Sequence, residues 1–158
     1  WVMAIEPVKA YFKTLGIEEK VMELDTSSAT VELAANALGV VPGRIAKTLS
    51  FKKDDNAILV VTAGEAKIDN SKFKQTFGTK AKMLTPDEVV EKIGHAVGGV
   101  CPFAICENVP VYLDISMKRF TTIFPACGSS NSAIELTCDE LFEYAKAIDW
   151  VDVCKDWE

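Results

Sequence analysis

Lys47 carries a cationic amine inside an apolar stretch that runs from Arg44 to Phe51. If this stretch is a strand, the alternation of side chains puts Lys47 on the same face as Ile45 and Leu49. Taking an ammonium out of water is costly. The side chain therefore either extends past its neighbours to water or lines a pocket in which a cation has a task. On this stretch alone the first interpretation is favoured.

A second segment, from Gly98 to Phe103, supplies groups that suit a negatively charged oxygen. Gly98 and Gly99 lack Cβ atoms, so their amide groups can approach a ligand closely. Successive N–H groups in such a bend form a concavity for an anionic oxygen, such as the oxyanion of ester hydrolysis. Pro102 would stiffen the exit from the bend. An isolated Gly-Gly pair is more often a plain turn, so an oxyanion-binding role for this segment is favoured only in combination with Lys47.

Cys101 offers a different chemistry, in which its thiol is a nucleophile and His95 is the base. A catalytic thiol needs thiolate character and a partner within hydrogen-bond distance. His95 is the one histidine of the chain, so any Cys–His or Ser–His mechanism must use it. Nothing in the sequence brings the two residues together, and this interpretation ranks below the one based on Lys47.

Metal and cofactor sites are not indicated. One histidine and the spacing of Cys101, Cys106 and Cys127 match no zinc pattern, and there is neither a phosphate-binding loop nor a dinucleotide fingerprint. We therefore predict no metal and no organic cofactor. Two polar positions remain, Asp114 at the end of an apolar strand and Ser129 in a polar loop. Both are compatible with a structural role as well as with binding.

The composition restricts the class of protein. With 158 residues, 49% hydrophobic and 25% charged, the chain is typical of a globular domain. No apolar run approaches the roughly 18–20 residues of a membrane span, no secretory signal is visible, and the five cysteines form no C-x-x-C pair, which predicts a cytoplasmic protein with reduced thiols. The net charge of −6 opposes wrapping of a nucleic-acid backbone, but leaves open a small site for the end of an RNA.

Apolar periodicity and capping signals define the expected elements. Helices are predicted over residues 6–15, 31–38, 69–77, 85–94 and 137–148. Strands are predicted over residues 44–51, 57–62, 81–84, 111–115, 121–124 and 133–136. Helices and strands are interspersed without regular βαβ alternation, which favours a mixed sheet in an α+β fold. No linker, repeat or low-complexity tract is present, so residues 1–158 are predicted to form a single domain.

Taken in order, these pieces resemble the YbaK/ProX family of aminoacyl-tRNA editing domains, which includes the editing insertion of many bacterial prolyl-tRNA synthetases. The resemblance covers roughly residues 20–150, and no single motif in it is decisive. It is carried by Thr30-Val31-Glu32, Ala34-Ala35-Asn36-Ala37-Leu38-Gly39, Pro42-Gly43-Arg44-Ile45-Ala46-Lys47-Thr48-Leu49, Lys67-Ile68-Asp69 with Lys72, Gly98-Gly99-Val100-Cys101-Pro102-Phe103, Pro110-Val111-Tyr112-Leu113-Asp114, and Ile134-Glu135-Leu136 with Glu140-Leu141.

The resemblance implies an activity and a fold. The activity is hydrolysis of a wrongly attached amino acid, usually alanine or cysteine, from tRNA(Pro), with serine as a further candidate and no cofactor. The fold is a mixed, strongly curved sheet flanked by helices. The resemblance also implies that Lys47 is essential and that the loop 98–103 borders the aminoacyl pocket. The sequence departs from the family at Ala104, at residues 22–25 and at residues 126–129, which affects the identity of the amino acid more than the reaction.

The residues and the resemblance together give a hypothesis for the site. Lys47 would hold the phosphate or ribose end of the substrate or orient water, and the amides of Gly98 and Gly99 would stabilise the oxyanion. Water, or a hydroxyl or thiol of the substrate, would be the nucleophile. The candidate substrate-binding residues are Thr30, Thr48, Val100, Cys101, Pro102, Phe103, Asp114 and Ser129.

The expected partners follow from the same hypothesis. They are the acceptor end of an aminoacyl-tRNA and a prolyl-tRNA synthetase that holds the tRNA, with no membrane contact and the oligomeric state open. Two alternatives stay open: a non-catalytic module that binds an amino acid or a partner in the same pocket, and a thiol enzyme that uses Cys101.

Overall fold

The computed structural model describes residues 5–95, 100–106 and 108–157. Within these residues the α-helices are α1 (Ile5–Thr14), α2 (Val31–Leu38), α3 (Asn70–Phe77), α4 (Pro86–Lys92) and α5 (Cys138–Tyr144). The strands are β1 (Met22–Glu23), β2 (Ile45–Lys53), β3 (Asn56–Ala63), β4 (Lys67–Ile68), β5 (Val111–Asp114), β6 (Thr122–Pro125), β7 (Ser132–Ala133), β8 (Leu136–Thr137), β9 (Asp149–Val151) and β10 (Cys154–Lys155).

The main sheet is mixed and has the strand order β8-β6-β2-β3-β5-β9. Its centre is the antiparallel hairpin β2–β3, in which Lys47 pairs with Thr62. Parallel pairing adds β6 to β2, β5 to β3 and β9 to β5, and antiparallel pairing adds β8 to β6. The sheet curls into a half barrel with helices around it, so the predicted α+β class and curved mixed sheet are confirmed.

Local capping chemistry explains where the helices begin and end. Thr30 accepts a hydrogen bond from the Leu33 amide at the start of α2, and Gly39 ends that helix in the left-handed conformation. Capping boxes begin α4 at Thr85 and α5 at Thr137. The helix starts that the sequence predicted at these positions are therefore confirmed.

The core lies mainly on strand β3, whose residues are buried from Ala57 to Ala63. Because β3 is paired on both edges and covered on both faces, its buried residues are apolar apart from Thr62 and do not alternate with polar ones. A smaller cluster of Ala34, Ala35, Ile45 and Phe124 attaches helix α2 to strands β2 and β6. This attachment leaves space between the helix and the sheet, which becomes the site described below.

Three predicted elements were wrong. Residues 81–84 form no strand, because only Met83 pairs with the sheet, in an isolated bridge to Phe51. The predicted strand 133–136 is divided between β7, which pairs with β1, and β8, which pairs with β6. The last helix ends at Tyr144 rather than near residue 148, because Lys146 takes a left-handed conformation (φ 54°) and strand β9 follows.

Candidate functional site

A cavity of about 380 Å³ lies between helix α2, strand β2 and the start of helix α4. Lys47 is the one charged side chain among the described residues that line it. Its apolar wall includes Val31, Ala34 and Leu38 from α2. Five residues with hydroxyl side chains also line it: Ser28, Thr30, Thr48, Ser50 and Ser132. The volume is within the range of roughly 300–1,000 Å³ that small-molecule sites occupy.

The amine of Lys47 is held by a backbone carbonyl beside the cavity. Lys47 is only partly exposed, and its Nζ donates a hydrogen bond to the backbone carbonyl of Ala66. Burial lowers the pKa of Lys47 below its ordinary value, although Cys154 and the carboxylates of Glu65 and Glu32 oppose that shift. The lysine therefore lines a pocket, which is the second of the two interpretations that the sequence left open.

The carbonyl of Ala66 is fixed by the turn that follows strand β3. The Ala66 amide donates to the Ala63 carbonyl at 3.1 Å. A Cβ atom on Gly64 would lie 2.1 Å from the Pro42 carbonyl oxygen, so only glycine lets these two backbones approach. Strand β4 begins directly after Ala66 and pairs with β10, which fixes the other side of the turn.

Thr48 follows Lys47 on strand β2 and also lines the cavity. Its Oγ1 is buried and has no hydrogen-bond partner among the described residues. A buried hydroxyl is normally paired, because leaving it unpaired costs about 1–3 kcal/mol. Thr30 lines the same cavity while its hydroxyl caps helix α2. The structure thus brings Thr30, Lys47 and Thr48 together at one site.

The glycine segment is described only in part. Gly98 and Gly99 lie outside the described residues. Val100, the next residue, lines the cavity with Lys47, so the described end of the segment reaches the site. Pro102 instead lines a second cavity of about 300 Å³, together with Tyr11 and Lys146. The segment from Val100 to Pro102 therefore contributes one residue to each cavity.

Cys101 and Phe103 are buried in the core and do not line the cavity. The Cys101 sulfur lies 3.5 Å from His95 Nε2, so the two residues do meet. However, burial raises the pKa of the Cys101 thiol to about 12, which keeps it protonated at neutral pH. The Phe103 ring packs against Phe12 with ring centroids 4.8 Å apart. Neither residue is placed to touch a ligand in the cavity.

Asp114 and Ser129 also lie away from the cavity lining. The two carboxylate oxygens of Asp114 accept hydrogen bonds from the backbone amides of Ser116 and Val153, each at 2.9 Å. The Ser129 hydroxyl donates to Ser132 Oγ at 2.7 Å. Both side chains therefore hold loops in place, and in the second case it is Ser132 that reaches the cavity.

Several cavity residues were not proposed from the sequence. Val31, Ala34 and Leu38 recur at the helical spacing of three and four residues, so the apolar face of α2 was a usable signal. Met83 and Val89 carried no such signal, because their place in the wall depends on how α4 packs against β2. The carbonyl of Ala66 could not be found from side-chain chemistry at all.

The described residues hold no group of three or more histidine, cysteine or acidic side chains that could bind a metal ion. Helices of the described ranges are also all too short or too polar to cross a bilayer.

The family of the chain follows from comparison with known sequences. Residues 25–144 match the aminoacyl-tRNA editing domain, so the chain belongs to the aminoacyl-tRNA editing domain family. This family is related to the editing function of prolyl-tRNA synthetase.

Individual proteins and a solved structure are also similar to this chain. The uncharacterized protein YwhH of Bacillus subtilis (strain 168) is 57% identical over 157 residues, which is 99% of this chain and 100% of that protein. The proline–tRNA ligase of Bacillus pumilus is 32% identical over 105 residues, 66% of this chain, but the match spans only 18% of the ligase. A solved structure described as a candidate trans-editing enzyme for prolyl-tRNA synthetase superposes with a TM-score of 0.87, at 29% identity and 99% coverage of both chains.

Proposed function

We propose that this protein is a cytoplasmic aminoacyl-tRNA deacylase. It would hydrolyse the ester that joins a wrongly attached alanine or cysteine, and to a lesser degree serine, to tRNA(Pro). The observation that carries the proposal is the position of Lys47, a partly buried cation in the wall of an otherwise uncharged cavity. Membership of the editing-domain family supplies the class of substrate.

Lys47 would act on the ribose and phosphate end of the substrate. The α-amino group of an aminoacyl ester is itself cationic, so the Lys47 ammonium repels it and attracts the phosphate at the other end. This orients the substrate with its ester near Lys47. The free Oγ1 of Thr48 would then accept a hydrogen bond from the α-ammonium group.

The backbone amides of Gly98 and Gly99 would stabilise the oxyanion, a role that we assign from the sequence alone. Val100 is the adjoining residue and lines the cavity, which supports the assignment. Preorganised amide donors are commonly worth about 10²–10³ in rate.

The nucleophile would be water or a group of the substrate itself. Cys101 is buried and protonated, so a protein thiol is a poor candidate. An aminoacyl ester is an activated bond, and positioning together with electrostatic stabilisation is enough to accelerate its hydrolysis. The mechanism calls for no metal and no organic cofactor.

The apolar wall of α2 suits small, uncharged side chains, which supports alanine and cysteine as the amino acids removed. A net charge of −6 disfavours extensive contact with the tRNA backbone. We therefore propose that the protein engages the acceptor end, and that prolyl-tRNA synthetase supplies the tRNA. We treat residues 1–158 as one editing domain, because the main hydrophobic cluster runs from Val8 to Cys154.

The test is a deacylation assay with tRNA(Pro) charged with alanine, cysteine, serine or proline. Hydrolysis of the alanyl or cysteinyl ester, with prolyl-tRNA(Pro) spared, is the expected result. A second series with alanyl-tRNA(Ala) tests whether the tRNA body matters. Binding of the charged tRNAs without hydrolysis of any of them would overturn the proposal in favour of a non-catalytic binding module.

A further inference from the structure

His95 is a buried side chain that the proposed mechanism does not use. It is 1% exposed, and its Nε2 lies 2.7 Å from the backbone carbonyl oxygen of Phe103, eight residues further along the chain. A carbonyl oxygen only accepts hydrogen bonds, so Nε2 must carry the hydrogen. Nδ1 is buried without a partner among the described residues, so a second proton there is disfavoured and the ring is neutral.

The segment that His95 holds, Val100–Phe103, contributes one residue to each of the two cavities. Val100 faces the cavity that contains Lys47, and Pro102 faces the second cavity. Cys101 and Phe103 are fully buried in the core, whereas Val100 is partly exposed at the cavity, so the position of Val100 depends on how the residues after it are anchored. At its far end the Phe103 ring packs against Phe12, and the Phe103 carbonyl is held by His95.

We propose that His95 is a positioning residue for deacylation, which holds the Val100–Phe103 segment against the cavity through its Nε2–H hydrogen bond to Phe103. The inference rests on the proposed function, because it assigns His95 a role in that reaction. His95 does not touch the substrate in this scheme. It acts through Val100, which lines the cavity.

This arrangement makes the hydrogen bond between His95 and the Phe103 carbonyl sensitive to acid. A second proton can enter only at the buried Nδ1, and no charged group of the described residues is among the causes that shift the pKa of His95. The Cys101 sulfur, 3.5 Å from His95 Nε2, belongs to a neutral thiol. On helix α4, Glu91 is exposed to solvent, and the Lys92 amine donates a hydrogen bond to the Asp55 carbonyl. Burial is the main cause that lowers the pKa of His95, opposed only by the Phe103 hydrogen bond.

The pH dependence of the His95–Phe103 hydrogen bond is set by the pKa of His95 in two states of the segment. When the segment is released, His95 titrates near its ordinary pKa of 6.5, whereas the held form resists protonation. The released form therefore binds more protons as the pH falls. The hold is complete above about pH 6.5 and weakens progressively below it.

Two variants separate the hydrogen bond from the titration. His95→Gln keeps an N–H donor but cannot take up a proton, and His95→Leu removes the donor. At pH 7.5 we expect His95→Leu to lower kcat for alanyl-tRNA(Pro) about tenfold, with His95→Gln within about twofold of wild type. Below pH 6.5 the wild type should lose activity relative to His95→Gln. Leu141→Ala, a buried change in helix α5, controls for general loss of stability.

The outcomes of this experiment distinguish the role of His95 from the deacylase activity itself. Equal losses in the two variants, or the same acid profile for wild type and His95→Gln, would overturn the inference while leaving the deacylase intact. Absence of hydrolysis by the wild type would overturn the proposed function, and this role for His95 with it.

A measurement without substrate tests the same contact. His95 is the one histidine, so nitrogen NMR of the untagged protein reports its ring without overlap. We expect the Nε2–H tautomer at pH 7.5 and a titration midpoint below 6.5. An Nδ1–H tautomer, or a midpoint at or above 6.5, would contradict the proposed hydrogen bond.

Discussion

Two regions of this molecule hold reactive side chains, and they differ in access rather than in chemistry. Lys47 lies beside Thr48 in the wall of an open cavity, where a ligand can reach it. Cys101 lies 3.5 Å from His95 in the closed core, where a ligand cannot. By distance alone the second pair is the better catalytic candidate. By burial and protonation it is a structural pair.

The difference shows how burial acts in opposite ways on function. For Lys47, partial burial lowers the cost of contacting a phosphate, because less water must be removed on binding. For Cys101, complete burial raises the pKa of the thiol to about 12 and withholds the thiolate that catalysis requires. The closed region should therefore govern stability, and should affect activity only through the segment that His95 positions, whereas the open region should affect activity directly.

Phe103→Ala tests the closed region and should have the largest effect. Loss of a fully buried ring that packs against Phe12 is expected to lower the free energy of unfolding by about 3–5 kcal/mol. Urea denaturation followed by tryptophan fluorescence measures this change, and Phe103→Leu is the milder variant if the first does not fold. A decrease of less than about 1 kcal/mol would show that the region is not part of the core.

Lys47→Met tests the open region. We expect kcat/KM for alanyl-tRNA(Pro) to fall about 100-fold, because the cation is lost while the volume of the side chain is nearly kept. Thermal stability should be unchanged or higher, since the folded state no longer buries an ammonium. Lys13→Met, on the exposed face of α1, is the matched control. A large drop in stability with full activity would reverse the roles of the two regions.

The pH dependence of stability sharpens the same variant. The pKa of Lys47 is lowered on folding, so the folded state binds fewer protons than the unfolded chain between that lowered value and 10.5. The free energy of unfolding of the wild type should thus increase relative to that of Lys47→Met as the pH rises towards 10.5. Denaturation series at neutral and alkaline pH compare the two proteins, and a constant difference would contradict the sign.

Thr48→Val should have a smaller effect, with opposite signs for stability and activity. Removing an unpaired buried hydroxyl should raise stability by about 1 kcal/mol and lower kcat/KM about tenfold. Thr62→Val is the matched comparison, because its hydroxyl is also buried but donates to the Ala63 carbonyl at 3.2 Å. That variant should lose stability. If both variants shift stability in the same direction, the hydroxyl of Thr48 is not unpaired in solution.

Alkylation of the native protein should have the smallest effect on activity. Iodoacetamide is expected to modify the exposed Cys106 and to spare the buried Cys101, Cys127 and Cys154. Peptide mass spectrometry locates the label, and the deacylation assay should show no loss. Inactivation in step with labelling of Cys101 would instead support a thiol enzyme.

Features that depend on neighbouring residues could be predicted from the sequence. Helix α2 was placed correctly from Thr30 to Gly39, because a capping hydroxyl and a left-handed glycine act within one helical turn. The same holds for Lys47, whose place on strand β2 followed from alternation along one segment. The family motifs then indicated what a lysine there does.

Features that depend on residues far apart in the chain could not be predicted from the sequence. Strands β9 and β10 have three and two residues, too few for any periodicity, and exist because they pair with β5 and β4. Within the segment from Val100 to Phe103, one residue faces the cavity and the last faces the core. Sequence proximity to Val100 therefore said little about the role of Phe103. The amide partners of Asp114, on Ser116 and Val153, likewise depend on how the chain folds.

The order of assembly follows from the pairing of β4 with β10. Synthesis proceeds from the amino terminus, so the hairpin that bears Lys47 leaves the ribosome long before β10 does. Until β10 arrives, the turn that presents Ala66 lacks its partner strand, and β5 has an open edge until β9 covers it. A nascent chain can bury its aromatic residues early, yet it acquires a fixed amine only when its final strands have docked.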